Sequence, residues 1–192
     1  IARLREAGIT FMHGDVRATD DIEEAGAFDV LLECSAEPSV LAGYDGAPRY
    51  LVDTNLMGTV NCLDVARKHN ADIVFLSTSR VYPHNRINAL PFNETTTRLV
   101  WSDAQFAQGI SENFPLEGTR SLYGATKLCS ELILREYCDM YGLRSIINRC
   151  GVLAGPWQMG KVDHGVAVLW AARHLYGGKL SYIGYGGQGK QV

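Results

Sequence analysis

The segment Ile73-Val74-Phe75-Leu76-Ser77 decides the fold class, because it is an apolar run that ends in a hydroxyl side chain. Its length and composition are typical of a buried strand. A long segment with apolar residues at helical spacing precedes it over 53–69, and a second follows from Tyr123 to Gly142. This alternation of compact strands and long helices predicts an α/β fold with a parallel sheet covered by helices on both faces.

Three further segments are predicted as strands of the same sheet. They are Ile9–Asp15, which ends in a Gly-Asp turn, Phe28–Ala36, which runs into small residues, and Arg144–Arg149. The stretch 83–119 lacks a regular pattern and is predicted to be a long irregular loop. Because it exceeds the usual length of a connection, we expect it to have a functional role.

The composition argues against several classes of partner. The chain has 192 residues, a formal net charge of −3 and no block of basic residues. Nucleic acids and anionic membrane surfaces are therefore poor candidates. No apolar run approaches the roughly 20 residues of a membrane span, and the first residues lack the apolar centre of a signal peptide. We expect a cytoplasmic protein.

The cysteines and histidines do not indicate a metal site. Five histidines show no ligand spacing, and the sequence contains no CxxC motif. The cysteine number is odd and the spacings are scattered, which favours free, buried thiols in a reducing compartment. These residues are Cys34, Cys62, Cys129, Cys138 and Cys150.

The stretch Ser121-Leu122-Tyr123-Gly124-Ala125-Thr126-Lys127 opens the second long helix and holds the main catalytic candidates. Tyr123 and Lys127 are four residues apart and so lie on one helical face. An ammonium beside a phenol favours the phenolate, so a lowered pKa is predicted for Tyr123. Such a group takes a proton from an alcohol and later returns it. The alternative is an ordinary helix with a half-buried tyrosine and a solvated lysine.

Small or polar residues follow the predicted strands, where ligands bind in sheets of this kind. Asp15 is suited to accept a hydrogen bond from an adenine amino group, or to serve as a helix cap or turn residue. The turn of Cys34, Ser35 and Ala36 allows close approach of a cofactor, or is a plain turn. Asn55 lies on the next helix and points either into the same cleft or to the surface.

Hydroxyl side chains follow the strand at Ile73-Val74-Phe75-Leu76-Ser77. Ser77 and Thr78 are suited to bind a sugar hydroxyl or ketone, and the alternative is a self-satisfied Ser/Thr turn. The segment Arg149–Pro156 follows the last predicted strand and is either a cofactor contact or a plain loop. Each of these signals is weak alone, and their order along the chain carries the argument.

Taken in order, the motifs resemble those of the extended short-chain dehydrogenase/reductase family of nucleotide-sugar enzymes. They are GD at 14–15, NxxGT at 55–59, STSxVY at 77–82, YxxxK at 123–127 and RxxxxxGP at 149–156. The resemblance spans essentially the whole chain. Residues 121–127, 148–161 and 182–187 are further similar to one branch of the family, the CDP-paratose 2-epimerases (CDP-tyvelose epimerases).

The resemblance implies an incomplete, doubly wound Rossmann-type sheet. A partial NAD-binding domain is expected over 1–155, and the start of a smaller substrate-binding lobe over 156–192. The family's GxxGxxG motif is absent from the sequence, so we expect a fragment that is inactive by itself. A homo-oligomer built on helix 53–69 and the helix after Tyr123 is also implied.

The resemblance also implies a role for each matched residue. Tyr123 is the acid/base, Lys127 lowers the pKa of Tyr123 and binds the nicotinamide ribose, and Thr78 binds the reacting oxygen of the substrate. The other residues implied to contact NAD are Asp15, Val16, Cys34, Ser35, Ala36, Asn55, Ser77 and Cys150. Tyr182 and Gln191 are implied to hold the nucleotide of the substrate.

The implied reaction is inversion at C2 of CDP-paratose, giving CDP-tyvelose, by transient oxidation with bound NAD. Ser79-Arg80 stands where the 4,6-dehydratases of the family carry Asp-Glu, which argues against a dehydratase. A nucleotide-sugar 4-epimerase or reductase would share the same catalytic residues. A catalytically silent NAD-binding interaction module is a further alternative, and the intact set of Thr78, Tyr123 and Lys127 argues against it.

Overall fold

The computed structural model describes residues 2–40, 42, 47–158 and 165–180. In this part of the chain, three strands form a parallel sheet in the order β1-β2-β5. They are β1 (Val30–Glu33), β2 (Asp72–Thr78) and β5 (Ser145–Cys150). Strand β2 is central, with Glu33 opposite Phe75 on one side and Cys150 opposite Thr78 on the other. The three carboxyl ends therefore meet at one edge, as predicted for a ligand site.

Two long helical segments cover one face of this sheet. The first is continuous from α3 (Pro48–Val52) through a π-helical turn (Asp53–Met57) into α4 (Gly58–His69). The second is α6 (Leu122–Tyr141), which ends at Gly142 in the left-handed conformation. The predicted helices over 53–69 and from Tyr123 to Gly142 are confirmed, and the first begins five residues earlier than predicted.

The hydrophobic core lies between the sheet and these helices. Ile73 and Phe75 of β2 pack against Leu63 and Ala66 of α4 and Leu134 of α6, and all five are almost fully buried. Apolar side chains on the opposite sheet face are exposed, namely Val30, Leu32 and Ile146, each by more than half. The sheet is therefore packed on one face in the described part of the chain.

The predicted strand Ile9–Asp15 is wrong. This segment forms no strand ladder, and Ile9, Phe11 and Met12 are each exposed by more than 40%. A strand exists only through hydrogen bonds to a neighbour, and no described strand lies beside this segment. The remaining helices of the described residues are α1 (Ala2–Glu6), α2 (Thr19–Glu23), α5 (His84–Asn88) and α7 (Val166–Leu175).

The stretch 83–119 is more ordered than predicted. Besides α5 it contains an antiparallel hairpin of β3 (Phe92–Glu94) and β4 (Leu99–Trp101), followed by a 3-10 turn (Ala104–Phe106). The ring of Phe106 contacts those of Trp101 and Phe114, and Phe114 also meets Tyr82 beside the end of β2. These aromatic contacts connect the segment 83–119 to the carboxyl edge of the sheet.

Candidate active site

Thr78 and Tyr123 meet at the carboxyl end of β2. Thr78 is the last residue of β2, and a 3-10 turn (Ser79–Val81) carries the chain onward. Ser121 caps helix α6, its hydroxyl accepting a hydrogen bond from the Gly124 backbone N–H at 3.1 Å. The Thr78 hydroxyl lies close enough to the Tyr123 phenol to lower its pKa. The candidate acid/base and the candidate oxygen-binding hydroxyl thus lie side by side.

A glycine allows this meeting. At Gly124, a β-carbon would lie 2.1 Å from the carbonyl oxygen of Arg80 and 2.9 Å from its carbonyl carbon. Backbone atoms cannot move aside as a flexible side chain does, so glycine is required for helix α6 to start this close to the 3-10 turn. The close approach sets Tyr123 beside Thr78.

The pKa of Tyr123 differs from the sequence prediction. Burial raises its pKa above the ordinary tyrosine value, and the Thr78 hydrogen bond and the Arg80 charge oppose that effect. Lys127 is not among the groups that shift it, so the expectation that Lys127 lowers the phenol pKa is wrong for this structure. The reason is that burial of the phenol is the largest of the effects on its pKa.

Lys127 is a buried cation. Lys127 is 1% exposed. Its Nζ lies 4.0 Å from the ring centre of Phe75 and 3.9 Å from Glu33 Oε2. Burial lowers the pKa of Lys127, and the charge of Glu33 opposes this. The alternative of a solvated lysine is therefore excluded.

Glu33 was missed by the sequence analysis. Glu33 lies within the predicted strand Phe28–Ala36, but only the small residues after it were predicted to contact the cofactor. A carboxylate within an apolar strand, two positions after the inward-facing Leu31, was the available signal. Because successive side chains alternate across a strand, Glu33 had to face the helices.

A second charged pair lies one helical turn further along α6. Glu131 is fully buried, and Arg149 of β5 donates to both its carboxylate oxygens, the shortest contact being 2.7 Å. Ser77, predicted to contact the cofactor, donates its hydroxyl to Glu131 at 2.5 Å. The hydrogen bonds to Glu131 raise the pKa of Arg149. These three residues lock β2, β5 and α6 together.

Asn55 is buried within the π-helical turn and faces the cleft side rather than the surface. Its Oδ1 accepts from the Glu37 backbone N–H at 2.7 Å, and its Nδ2 donates to the Glu37 carbonyl at 3.2 Å. Its backbone carbonyl accepts from the hydroxyls of Thr59 and Ser130. Asn55 thus fixes the loop after β1 against helix α6.

Asp15 and Val16 lie beside the start of α4. The Asp15 carboxylate accepts from the Arg17 backbone N–H at 2.9 Å and from the Arg17 guanidinium. This pairing lowers the pKa of Asp15 to about 2. The Val16 side chain is packed over Gly58, where a β-carbon would lie 2.7 Å from a Val16 methyl.

The turn after β1 surrounds Glu33. Ser35 donates both its backbone N–H, at 2.8 Å, and its hydroxyl to Glu33 Oε1. Cys34 is exposed, Ala36 is half-buried, and Cys150 is half-buried at the end of β5. Partial burial and the Glu33 charge raise the pKa of the Cys34 thiol. Tyr182 and Gln191, the predicted substrate contacts, lie outside the described residues.

Comparison with known proteins decides the family. The model of the NAD dependent epimerase/dehydratase family matches residues 1–192. The chain belongs to that family. A member of a family that depends on NAD needs a cofactor site, and the prediction of NAD as the cofactor is confirmed at this level.

Two relatives of the chain have the names of nucleotide-sugar epimerases. The chain is 27% identical over 190 residues to CDP-paratose 2-epimerase of Salmonella typhi, covering 95% of the chain and 54% of that protein. It is 26% identical over 180 residues to a putative UDP-glucose 4-epimerase of Methanocaldococcus jannaschii, covering 93% of the chain and 52% of that protein. The chain therefore spans about half the length of these relatives.

A solved family member confirms the Rossmann-type fold. The Thermus thermophilus UDP-glucose 4-epimerase, solved in complex with NAD, superposes with a TM-score of 0.71 at 26% identity. The match covers 90% of the chain and 50% of that structure. With three parallel strands in its described part, the sheet is incomplete, as predicted.

The residues at the strand ends fit NAD. Among the described residues, no side chain hydrogen-bonds the Lys127 ammonium, so its N–H groups remain for a ligand such as a ribose diol. Glu33 Oε2 likewise is buried without a hydrogen bond. In the described ranges, no group of His, Cys, Asp and Glu is placed to hold a metal ion, and no helix has the length and apolarity to cross a membrane.

Proposed function

We propose that the protein is an NAD-dependent nucleotide-sugar epimerase that inverts C2 of a CDP-dideoxyhexose, converting CDP-paratose to CDP-tyvelose. The observation that carries the proposal is that Thr78 meets Tyr123 at the carboxyl end of β2, one helical turn before the buried Lys127. An alcohol–ketone interconversion requires these groups to lie together in one site.

Tyr123 supplies the proton chemistry. Its phenol oxygen takes the proton of the reacting sugar hydroxyl and later returns it, so the residue is unchanged after each turnover. Thr78 donates to the same sugar oxygen and holds it beside Tyr123 as charge develops on it. Because burial raises the pKa of the phenol, stabilisation of the phenolate depends on Thr78 and on the charge of Arg80, which both lower that pKa.

Lys127 and the turn after β1 hold the cofactor. Lys127 donates to the ribose next to the nicotinamide, and Cys34, Ser35 and Ala36 lie alongside it. NAD, when bound, would supply hydride transfer from and back to the sugar carbon, and the protein residues would orient the substrate and move its proton. Because the hydride would be returned within each turnover, no external reductant is needed.

The turn after β2 supports epimerisation over elimination. Elimination of water needs an additional acid and base, and the two residues after Thr78 are Ser79 and Arg80, which lie in the 3-10 turn. The similarity to CDP-paratose 2-epimerase supports C2 as the reacting carbon. A 4-epimerase is the second candidate, because the M. jannaschii relative is almost equally similar.

The test is a substrate panel offered to the full-length protein with NAD. We expect CDP-paratose to be converted to CDP-tyvelose, as followed by proton NMR, while UDP-glucose stays unchanged. Conversion of UDP-glucose to UDP-galactose instead would select the second candidate. If no nucleotide sugar turns over while NAD still binds, the protein is a silent interaction module and the proposal fails.

A further inference from the structure

Glu33 is a buried carboxylate to which the proposed chemistry assigns no role. It ends β1 and is 3% exposed, on the sheet face that packs against α4 and α6. Removing a carboxylate from water is strongly unfavourable unless it is paired with a cation and hydrogen-bonded. Its surroundings therefore decide what it does.

The two oxygens of Glu33 are in different situations. Oε1 accepts the backbone N–H and the hydroxyl of Ser35, which fixes the orientation of the carboxylate. Oε2 is buried without a hydrogen bond, and the Lys127 Nζ lies 3.9 Å from it. Lys127 is the one cation paired with Glu33 among the described residues. The charge of Glu33 also raises the pKa of the Cys34 and Cys62 thiols.

Lys127 is surrounded by three packed elements besides its own helix. Glu33 and Cys34 face it from the end of β1, the Phe75 ring from β2, and Cys150 from β5. Burial alone would favour the neutral amine, because the ammonium loses hydration. Among these groups, the ionised carboxylate of Glu33 is the one that holds the positive charge.

The remaining nearby carboxylate has its own cation. Glu131, four residues along α6, also acts on Lys127, but Arg149 binds both its oxygens. The buried charges thus form two balanced pairs, Glu33 with Lys127 and Glu131 with Arg149. Loss of Glu33 would leave Lys127 without a counter-ion of its own.

We propose that Glu33 is a positioning residue of the active site, the counter-ion that keeps Lys127 protonated and in place next to Tyr123. The proposal rests on the proposed function for the role of Lys127 in catalysis. The charge pairing itself does not depend on that role, so one of its two tests uses the protein without substrate or NAD.

The first test measures unfolding by denaturant from pH 7 to 10.5 in full-length Glu33→Gln and wild type. In the variant the folded-state pKa of Lys127 falls further below the unfolded value, so stability rises with pH relative to wild type. We expect an unfolding constant at least tenfold above wild type at pH 7, with the difference shrinking towards pH 10.5. In a Lys127→Met background the same substitution should have a pH-independent effect.

The matched control is Glu23→Gln, which removes the partner of Lys68 in an exposed ion pair of 2.8 Å. We expect no comparable pH dependence from it, because exposed pairs are weak and solvated. If Glu33→Gln shifts stability equally at all pH values, or if Lys127→Met leaves its pH dependence intact, Glu33 is not the counter-ion of Lys127.

The second test is the pH profile of kcat/KM of the NAD-loaded protein on its substrate. In Glu33→Gln, Lys127 should lose its proton at lower pH than in wild type. The alkaline limb of the profile should therefore move to lower pH by one unit or more, which lowers kcat/KM tenfold above that limb. A uniform loss at every pH would mean a structural role and overturn the proposal. If Tyr123→Phe retains turnover, the proposed function fails, while the unfolding test still decides the pairing.

Discussion

Thr78 and Tyr123 set the proton chemistry at the scale of single residues. The phenol is half-buried, and burial raises its pKa, while the Thr78 hydrogen bond acts in the opposite direction. A hydrogen bond that favours the charged form of an acid lowers its pKa. The pH at which Tyr123 becomes a base therefore depends directly on one threonine hydroxyl.

Thr78→Val removes that hydroxyl while keeping the shape of the side chain. We expect the pKa of Tyr123 to rise, so that the acid limb of the kcat profile moves to higher pH. We also expect kcat at its optimum to fall by roughly 10²–10³, the usual cost of losing one donor to a reacting oxygen. Steady-state kinetics across pH 5–10 measures both effects. Ser79→Ala, which removes the exposed neighbouring side chain, is the control and should leave the limb in place.

At the scale of elements, the start of α6 and the π-helical turn position the site. The turn at Asp53–Met57 directs Asn55 towards the loop after β1 and towards α6, and π turns are often found at functional sites. Gly124 lets α6 approach the 3-10 turn after β2. Both features depend on contacts between distant segments.

Gly124→Ala tests the close approach of α6 to Arg80. Alanine normally stabilises a helix by about 1 kcal/mol over glycine. Here we expect the opposite sign, a loss of about 2–3 kcal/mol in the free energy of unfolding, because the new methyl group meets backbone atoms. Urea denaturation measures it, and Gly155→Ala, where a β-carbon meets nothing within 4 Å, should change stability little. A stabilised Gly124→Ala protein would contradict the described packing.

At the scale of the whole molecule, the sequence predicts helices and strands within one segment better than it predicts which distant segments contact each other. Strand β2 and helix α6 were predicted nearly residue by residue, because apolar runs and Gly142 are local signals. The strand at Ile9–Asp15 was wrong because a strand needs a neighbour. The hairpin Phe92–Glu94 with Leu99–Trp101 was missed because its apolar faces are short.

The site was predictable as a set of residues but not as a set of contacts. The Tyr123–Lys127 spacing correctly put both on one helical face. Periodicity could not reveal that Lys127 pairs with Glu33 or that Ser77 bonds Glu131, since both contacts join different elements. The substrate contacts predicted at Tyr182 and Gln191 remain predictions.

Cys62 makes the stability of the folded chain sensitive to alkaline pH. Burial raises the pKa of this thiol to about 12, against an ordinary value near 9. Between these values the unfolded chain loses the proton and the folded chain keeps it, so stability falls by at most about 1.4 kcal/mol per pH unit. Cys62→Ala should show a flatter decline than wild type in reducing buffer. Cys129→Ala, at an exposed position, should not differ from wild type in slope.

We expect the homo-oligomer that the family resemblance implies to use the exposed side of α6 as its interface. Leu132 and Met140 of this helix are 52% and 67% exposed. We expect Leu132→Asp to convert an oligomer of the full-length protein to monomers in light-scattering measurements. Tyr176→Asp, at an exposed position outside α6, should leave the mass unchanged. A wild-type monomer at micromolar concentration would contradict the proposal.

The central claim is that Tyr123 and bound NAD invert a sugar carbon by oxidation and re-reduction at one site. The most direct measurement incubates the full-length protein with CDP-paratose in D₂O and follows the C2 position by proton NMR. We expect inversion with the original hydrogen retained at C2, because the hydride leaves and returns on the same cofactor. Inversion with deuterium from solvent at C2 would contradict it, since the hydrogen would then have left as a proton.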